Sequence, residues 1–265
     1  MSTLGTRVFY CCGWYNGYPM SRYQLPDVQE IRAIKTGREV ANIIKAQRLS
    51  EVVLQFVVRR VRVGVSEIEL ARFIVAEFKR RGIKALAFEP IVAFGAGSAD
   101  IHHWATKARL SKNQIVMFDF GATHKGYCSD MTRTFFFGNP SAKFKKLYSN
   151  VLAAEQKVFK ALAHGERNAK KLDAIARNPL ERKFGKLSFP HGLGHGVGVA
   201  IHEWPAMKPK SGDVLKPGMV VTLEPGVYIN SWGGVRIEDM VHIKKHGATH
   251  LTKAAKDFSS IIIHA

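Results

Sequence analysis

The chain has 265 residues, 46% of them hydrophobic, and its 40 lysines and arginines exceed its 21 acidic residues to give a net charge of +19. This size and apolar content exclude a disordered chain, and without a long apolar run we expect no membrane-spanning segment and no membrane partner. The three cysteines, two of them adjacent at Cys11 and Cys12, exclude a disulfide framework and favour a reducing, cytoplasmic location.

The first part of the chain lacks a sustained hydrophobic period. Residues 1–27 are therefore predicted to form a short strand and an irregular lead-in, followed by one domain over residues 28–265. From residue 30 to residue 61, apolar side chains recur at spacings of three and four, which predicts one long amphipathic helix. Its predicted buried side chains are Val40, Ile43, Ile44, Leu49, Val52, Val53 and Phe56.

A second helix is predicted to begin at Ser66 and to end at Gly82. Ser66 and Glu69 have the spacing of a capping box, in which each residue bonds the backbone N–H of the other. After this helix the hydrophobic period changes from about four to two. Alternating residues over 85–95 and 113–122 predict two strands.

Two further helices are predicted in the middle of the chain. One has Asn139 as its N-cap and Pro140 in its first turn, and it runs to about Ala163. The other covers roughly 168–184, and we expect Pro179 to end or kink it because proline lacks a backbone N–H. The remainder of the chain reads as strands and turns.

Two segments repeat the order strand, acid, turn, acid. The first places Asp119 and Asp130 on either side of a turn, and the second places Glu224 and Glu238 in the same way. The members of each pair are predicted to face each other across a hairpin. Each hairpin follows two helices, so the repeat predicts an α+β fold of two pseudo-symmetric halves in which the four carboxylates converge.

Four carboxylates in an apolar setting repel one another, and their burial is costly unless they take up protons or bind cations. Two divalent ions would satisfy all four. Sites rich in oxygen that include a neutral imidazole suit Mn²⁺, Fe²⁺, Co²⁺ or Zn²⁺. The glycine-rich segment 189–205 supplies His191, His195 and His202, and its small residues allow the backbone to approach other strands closely.

Four blocks of sequence carry most of these acids and histidines. They are FDFGATHKGYCSDMTRT (118–134), HGLGHGVGVAIHEWP (191–205), TLEPGVYI (222–229) and GVRIEDMV (234–241). Together they resemble the signature blocks of the pita-bread metallopeptidases, in the branch of Xaa-Pro aminopeptidases and Xaa-Pro dipeptidases (prolidases). The resemblance implies a pita-bread fold with a curved antiparallel sheet and helices outside, and two divalent ions, Mn²⁺ first among them. The metal ligands it implies are Asp119, Asp130, His195, Glu224 and Glu238.

The resemblance also implies roles in catalysis and substrate binding. Glu224 is expected to take a proton from a water that bridges the metals, which leaves a bridging hydroxide. It is then expected to pass this proton to the leaving nitrogen. His102, in preference to its neighbour His103, and His202 are expected to contact the scissile peptide group and its oxyanion. The expected substrate-binding residues are His191, Arg236, Tyr228 and Trp204. For Trp204 and Tyr228, packing in the core or in a hairpin is an equal alternative.

The function implied is hydrolysis of the N-terminal bond of peptides with proline at the second position. One alternative is a methionine aminopeptidase-like activity, although those enzymes lack the GVRIED block that carries Arg236. The other alternative is a basic protein of the same fold that binds ribosomes or nucleic acid, because a strongly positive surface attracts polyanions. No RNA-binding motif or zinc finger supports that second alternative.

Usual members of this branch carry a further domain before the catalytic one. Here only about 27 residues precede the first predicted helix, so we expect the chain to lack that domain and to have a more open cleft. The preference between dipeptides and longer peptides, and between a monomer and a homodimer, stays open at this point.

Overall fold

The structure is a computed structural model that describes residues 28–264, so the predicted lead-in over residues 1–27 lies outside the described residues. The described part of the chain has an α+β fold, as predicted. Its helices are α1 (Val28–Ala33), α2 (Gly37–Val58), α3 (Glu67–Arg80), α4 (Ala142–Ala163) and α5 (Ala169–Phe184). Its strands are β1 (Ile91–Phe94), β2 (Gln114–Asp119), β3 (Thr123–His124), β4 (Tyr127–Cys128), β5 (Thr132–Phe137), β6 (Gly194–Gly196), β7 (Glu203–Met207), β8 (Val220–Leu223), β9 (Gly226–Ile229), β10 (Gly233–Arg236), β11 (Asp239–Ile243), β12 (Ala248–His250) and β13 (Ile262–Ile263).

The described strands form two main sheets and two short ladders. The first sheet has the order β1-β2-β5-β13 and the second has the order β12-β11-β8-β6-β7. Neighbouring strands run antiparallel except for β13, which lies parallel to β5. The helices α2 and α3 precede the first hairpin, and α4 and α5 precede the second sheet, which matches the two predicted halves. One large apolar core includes buried side chains from both halves.

The long helix predicted over 30–61 is divided into α1 and α2. Thr36 interrupts it, because its hydroxyl accepts a hydrogen bond from the backbone N–H of Glu39 as the N-cap of α2. The carboxylate of Glu39 accepts a bond from the backbone N–H of Thr36 at 2.7 Å, which completes a capping box. The prediction recognised the same device at Ser66 and missed it here.

The buried face of α2 also differs from the predicted one. Val52 and Phe56 are 37% and 38% exposed, whereas Leu54 and Val57 are buried. The buried stripe includes a polar residue, Ser50, whose hydroxyl lies 2.9 Å from that of Ser129. A polar side chain in the stripe weakened the apolar pattern and shifted the predicted face toward solvent.

The predicted N-cap of α4 is wrong, and α5 does not end at Pro179. The N-cap of α4 is Ser141, whose hydroxyl accepts a bond from the backbone N–H of Phe144 at 3.2 Å, whereas the backbone N–H of Asn139 donates to Asn113. The helix α5 continues through Pro179 and ends at Phe184. It continues because one apolar face, on both sides of the proline, is buried against the core. The buried apolar side chains of that face are Ala169, Leu172, Ala176 and Leu180.

The two acid-bearing hairpins differ in register. In the first, Asp119 pairs with Thr132, so Asp130 lies two residues from the position opposite Asp119, as a diagonal neighbour. In the second, Leu223 pairs with Asp239 on one side of the glutamates and Gly226 pairs with Arg236 on the other, so the shared register sets Glu224 opposite Glu238. The predicted face-to-face arrangement therefore holds for the glutamates and is wrong by one diagonal step for the aspartates.

The hairpins meet where β5 passes the segment that joins β10 to β11. The backbone N–H of Glu238 donates to the carbonyl of Thr132 at 3.1 Å, and the hydroxyl of Thr134 donates to the carbonyl of Arg236 at 2.8 Å. Arg133 is fully buried and donates to the carbonyls of Thr132 and Glu238 at 2.9 and 2.7 Å. This junction brings the four carboxylates of the two hairpins to one place.

Candidate active site

A cleft of about 470 Å³ opens at the junction of the two hairpins. Its walls contain nine of the eleven site residues that the sequence predicts. The five predicted metal ligands line it together with His102, His191, His202 and Arg236. Trp204 and Tyr228 are absent from the lining residues.

The imidazole of His195 is oriented toward the carboxylates. Its Nε2 lies 3.4 Å from Glu224 Oε1 and 3.6 Å from Asp130 Oδ2, and its Nδ1 lies 3.0 Å from the carbonyl of Gly196. Donor atoms of Asp130, His195 and Glu238 all lie within 4.8 Å of one another. A hydrogen bond from Nδ1 to the carbonyl leaves the Nε2 lone pair directed at the acids, which is the tautomer that ligates a metal.

The strand that carries His195 is tightly packed between its neighbours. A Cβ atom on Gly194 would lie 2.1 Å from the carbonyl oxygen of Thr222, and one on Gly196 would lie 2.4 Å from that of Trp204. Only glycine fits at such distances, so the glycine-rich segment allows the close approach that the sequence predicts. As a result, β6 delivers His195 between β7 and β8.

Burial raises the pKa of three carboxyl groups of the cleft, those of Asp130, Glu224 and Glu238. It is the largest cause that raises the pKa of Glu238 and of Asp130 well above the ordinary values, and repulsion from neighbouring carboxylates adds to it. Burial also raises the pKa of Glu224 to about 8, against the opposing effect of Arg236. The Oδ1 atom of Asp119 is buried without a hydrogen-bond partner. Hard or borderline cations between these acids would balance the buried negative charges and would give Asp119 Oδ1 a partner.

Two histidines of the cleft are neutral at physiological pH. Burial lowers the pKa of His195 to about 4 and that of His191 to about 3, and the charge of Arg236 contributes to the shift at His191. A neutral imidazole is the form that binds a metal ion. The donor set therefore fits divalent ions such as Mn²⁺ or Zn²⁺.

Arg236 is buried and connects several residues of the site. Its Nη2 donates to Asp119 Oδ2 at 2.6 Å, its Nη1 to the Tyr228 hydroxyl at 2.8 Å, and its Nε to the Thr132 hydroxyl at 2.9 Å. Thr132 in turn donates to Glu238 Oε2 at 2.7 Å. Arg236 therefore orients one carboxylate directly and a second through Thr132.

Tyr228 and Trp204 lie behind the cleft instead of forming its wall. The hydroxyl of Tyr228 joins Arg236 to His191 Nε2, from which it is 2.8 Å away. Trp204 packs against the large apolar core, and the ammonium of Lys216 lies 5.8 Å from its ring centroid. These positions correspond to the packing alternative left open by the sequence.

The loop histidines occupy distinct places. His102 lies on the cleft wall, whereas His103 turns away and places its Nε2 2.9 Å from Glu67. The ring of His202 packs edge-on against that of His195, with centroids 4.3 Å apart. The structure thus places His102, and not His103, beside the cleft.

A buried ion pair anchors the loop that carries His202. Lys35 Nζ lies 3.0 Å from Glu203 Oε2, and 2% and 6% of the two side chains are exposed. Arg32 also bonds Glu203, and the backbone N–H of Ala200 donates to Oε1 of the same carboxylate at 3.0 Å. The break between α1 and α2 brings Lys35 to this position.

Sequence reasoning missed several supporting residues. Thr132 and Thr222 each lie two positions from an acid, on the same face of the chain; Thr222 donates to Glu224 Oε1 at 3.2 Å and accepts from the N–H of His195. On α5, Arg177 donates to the carbonyl of His191 at 2.6 Å and pairs with Asp173. Threonine at strand spacing from an acid is the signal that could have identified the first two.

A second cluster of ionisable groups lies close to the cleft. Donor atoms of Glu155, Asp239 and His250 also come within 4.8 Å of one another. Here Lys256 Nζ lies 2.7 Å from Glu155 and 2.5 Å from Asp239, and Arg133 Nη2 lies 2.6 Å from the other oxygen of Asp239. We call this set the rear cluster; nothing in the sequence predicted it.

Comparisons with known proteins point to one family. Residues 41–245 match the model of metallopeptidase family M24. The Xaa-Pro dipeptidases of Pyrococcus horikoshii and Pyrococcus furiosus are 38% and 39% identical to the chain over 87% of its length and over 65% and 66% of theirs. The chain thus spans less than two thirds of these curated relatives.

Solved structures give the same result. An X-Pro aminopeptidase from Thermotoga maritima superposes with a TM-score of 0.84 at 33% identity, covering 90% of this chain and 66% of that one. A prolidase from Pyrococcus furiosus superposes with a TM-score of 0.82 at 38% identity, covering 86% and 67%. Among the described residues, no helix is both long and apolar enough to cross a membrane.

Proposed function

The chain belongs to metallopeptidase family M24 and has its α+β pita-bread fold, and from this premise we propose that it hydrolyses the bond between an N-terminal residue and a proline. One observation carries the proposal. Four carboxylates and one neutral imidazole converge in a buried cleft that three further histidines line in part. Intact donors in this arrangement favour a catalyst over a binding protein that has lost its activity.

Two divalent ions, with Mn²⁺ as the first candidate, would be held by the five donors. The fit rests on the buried, unpartnered Asp119 Oδ1 and on a donor set of carboxylates with a neutral imidazole. Such ions, when bound, lower the pKa of water and polarise a carbonyl group. The proposed ligands are Asp119, Asp130, His195, Glu224 and Glu238.

Glu224 is the proposed proton carrier of the reaction. Its carboxyl group lines the cleft with Oε1 3.4 Å from His195 Nε2, and a carboxylate in this position can take a proton from water and give it up again. We propose that it passes this proton to the nitrogen of the leaving proline. His102 and His202 stand on the cleft wall, where they can donate hydrogen bonds to the scissile carbonyl.

The cleft also fits a proline side chain. The nitrogen of the Xaa-Pro peptide bond is the ring nitrogen of proline and carries no hydrogen, so the site needs no acceptor for it. Apolar side chains line part of the cleft and can contact the ring, while the free amine of the substrate lies near the acids. Three of the five N–H groups of Arg236 already donate to the protein, so we propose that Arg236 orients the acids. The apolar lining residues are Phe88, Ile91, Ile101, Ile201 and Met207.

A peptide panel tests the proposal. The chain is treated with a chelator, supplied with Mn²⁺ or Co²⁺, and assayed with Xaa-Pro dipeptides, longer Xaa-Pro peptides and matched Met-Ala peptides. We expect metal-dependent release of the residue before proline, and the two lengths of substrate decide between a dipeptidase and an aminopeptidase. Cleavage of Met-Ala peptides alone would overturn the proposal.

A further inference from the structure

Arginine side chains gather on one face of the molecule, around the α2–α3 helix pair. The guanidinium groups of Arg59 and Arg81 lie 5.8 and 4.5 Å from the centroid of the Phe56 ring. The guanidinium of Arg60 lies 4.9 Å from the centroid of Phe73. These contacts place three cations, from the end of α2 and the end of α3, over two rings of the α2–α3 pair.

The turn between α2 and α3 extends this surface. Arg109 Nη1 donates to the carbonyl of Gly64 at 2.7 Å, and 70% of its side chain is exposed. Hydrogen bonds from Ser66 lower the pKa of Glu69, and the charges of Arg109 and Arg62 lower it further, so both arginines lie near that acid. We define the arginine face as Arg59, Arg60, Arg62, Arg80, Arg81 and Arg109.

The charge of the arginine face is only partly balanced by acids. Glu77 is buried and pairs with both Arg80 and Arg81. Within residues 28–264, Arg59, Arg60 and Arg62 form no ion pair, and all three are exposed. Like charges closer than the Debye length repel, so a polyanion that neutralises them would bind favourably.

Exposed apolar side chains accompany the arginines. Phe56 is 38% exposed, with the guanidinium groups of Arg59 and Arg81 over its ring, and Val63 in the turn is 55% exposed. Arginine pairs with phosphate through two parallel hydrogen bonds, and a guanidinium plane that rests on an aromatic ring can itself stack against a nucleobase. The two features together are typical of surfaces that bind single-stranded nucleic acid.

A second basic surface of the molecule lacks this combination. The outer faces of α4 and α5 expose lysines, which are strongly hydrated point charges without the forked geometry of a guanidinium. Net charge alone therefore does not distinguish the two surfaces, whereas the type of cation and the exposed ring do. The lysine surface, with Lys145, Lys157 and Lys170 exposed, provides a matched control.

We propose that the arginine face binds single-stranded nucleic acid through its phosphates, with one base stacked on the guanidinium groups that lie over Phe56. None of its residues lines the cleft, so this binding is independent of the proposed peptidase activity. The sequence left nucleic-acid contact as a less favoured alternative to catalysis, because charge was its sole support. The clustered arginines and the exposed ring make it an additional property of the same chain.

Fluorescence anisotropy with labelled single-stranded RNA and DNA of about 12 nucleotides tests the proposal on the full chain. Arg59→Gln, Arg60→Gln and Arg62→Gln together should weaken binding at least about tenfold at about 0.15 M salt. The slope of log Kd against log salt should fall by about two, because three phosphate contacts are lost. The control variant loses the same charge and should change Kd less than about twofold. It combines Lys145→Gln, Lys157→Gln and Lys170→Gln.

A second variant tests the stacked base. Phe56→Leu removes the ring that supports these guanidinium planes and keeps every charge. It should weaken binding of RNA several-fold and leave binding of inorganic polyphosphate unchanged, since polyphosphate has no bases. Equal weakening by the arginine and lysine variants would overturn the proposal. Absence of binding to RNA and DNA would also overturn it, with or without binding to phosphatidylserine vesicles. Unchanged melting temperature and unchanged Xaa-Pro cleavage in the arginine variant show that its fold is intact.

Discussion

Two groups of carboxylates lie on opposite sides of the chain where β11 begins. The adjacent residues Glu238 and Asp239 belong to different groups. Glu238 faces the cleft, whereas Asp239 faces the rear cluster, because successive side chains of a strand alternate in direction. Each group brings three potential metal donors within 4.8 Å. Distances alone therefore do not distinguish a metal site from a structural cluster.

Charge balance separates the two groups. In the cleft, four carboxylates share one bonded arginine and neutral histidines, and burial raises the pKa of Glu238 well above its ordinary value. In the rear cluster, burial and the charge of Asp239 raise the pKa of Glu155, but at Asp239 the effects of Arg133, His250 and Lys256 outweigh burial and hold the pKa below its ordinary value. The cleft needs cations from solution, and the rear cluster already contains its own.

Substitution of the adjacent acids should give the largest contrast. Glu238→Ala removes a proposed metal ligand, so activity should fall by more than about 100-fold. That is the largest loss typical of replacing a residue that only supports a ligand. Asp239→Asn should retain the metals and lower the melting temperature instead, because it leaves Arg133 and Lys256 without a full countercharge. Metal analysis of both purified variants checks this, and equal metal loss would contradict the division between the two sides of β11.

Removal of Lys256 should make the rear cluster resemble the cleft. Lys256→Met leaves Glu155 and Asp239 buried with less countercharge, so we expect a loss of about 3 kcal/mol in the free energy of unfolding. Added Mn²⁺ or Zn²⁺ should recover part of this loss and bind with one extra equivalent. Denaturant unfolding with and without metal measures both effects, and the neighbouring variant Lys253→Met is the control.

The metal-free protein should show the same contrast in its dependence on pH. The pKa of Glu224 is raised from 4.5 to about 8, so its contribution to stability is fully present below about pH 4.5 and is lost as the pH rises through about 8. The melting temperature of chelated protein should therefore fall by several degrees between about pH 5 and pH 9. Mn²⁺ should remove most of this fall. A fall of the same size with Mn²⁺ bound would argue against cations between these acids.

The sequence predicted the cleft better than the elements around it. Asp119, Asp130, Glu224 and Glu238 could be identified because acids in apolar strands conflict with burial, and because their spacing repeats. The register of the first hairpin could not be predicted, since two acids on one face of a hairpin can be direct or diagonal neighbours.

Other features were hidden because their partners are distant in the chain. The rear cluster joins Arg133 and Glu155 to Asp239 and Lys256, and no local pattern marks residues separated by a hundred positions. The capping box at Thr36 was a local signal, but a strong apolar period on both sides concealed it. Long-range pairing and competition between local signals thus account for most of the differences.

The pair Lys35–Glu203 extends the comparison to a third carboxylate. Glu203 adjoins His202 at the cleft, yet Lys35 and Arg32 balance its charge, and its pKa stays below the ordinary value although burial raises it. It should therefore support the His202 loop without binding metal.

Glu203→Gln should lower kcat by about tenfold, the lower value for residues that support a site, and leave metal content unchanged. Lys35→Met should act in the same way, and the double variant should be no worse than either single one, because both remove one interaction. Loss of metal in Glu203→Gln would instead make Glu203 a part of the metal centre, and additive effects on kcat would show that the two residues act separately.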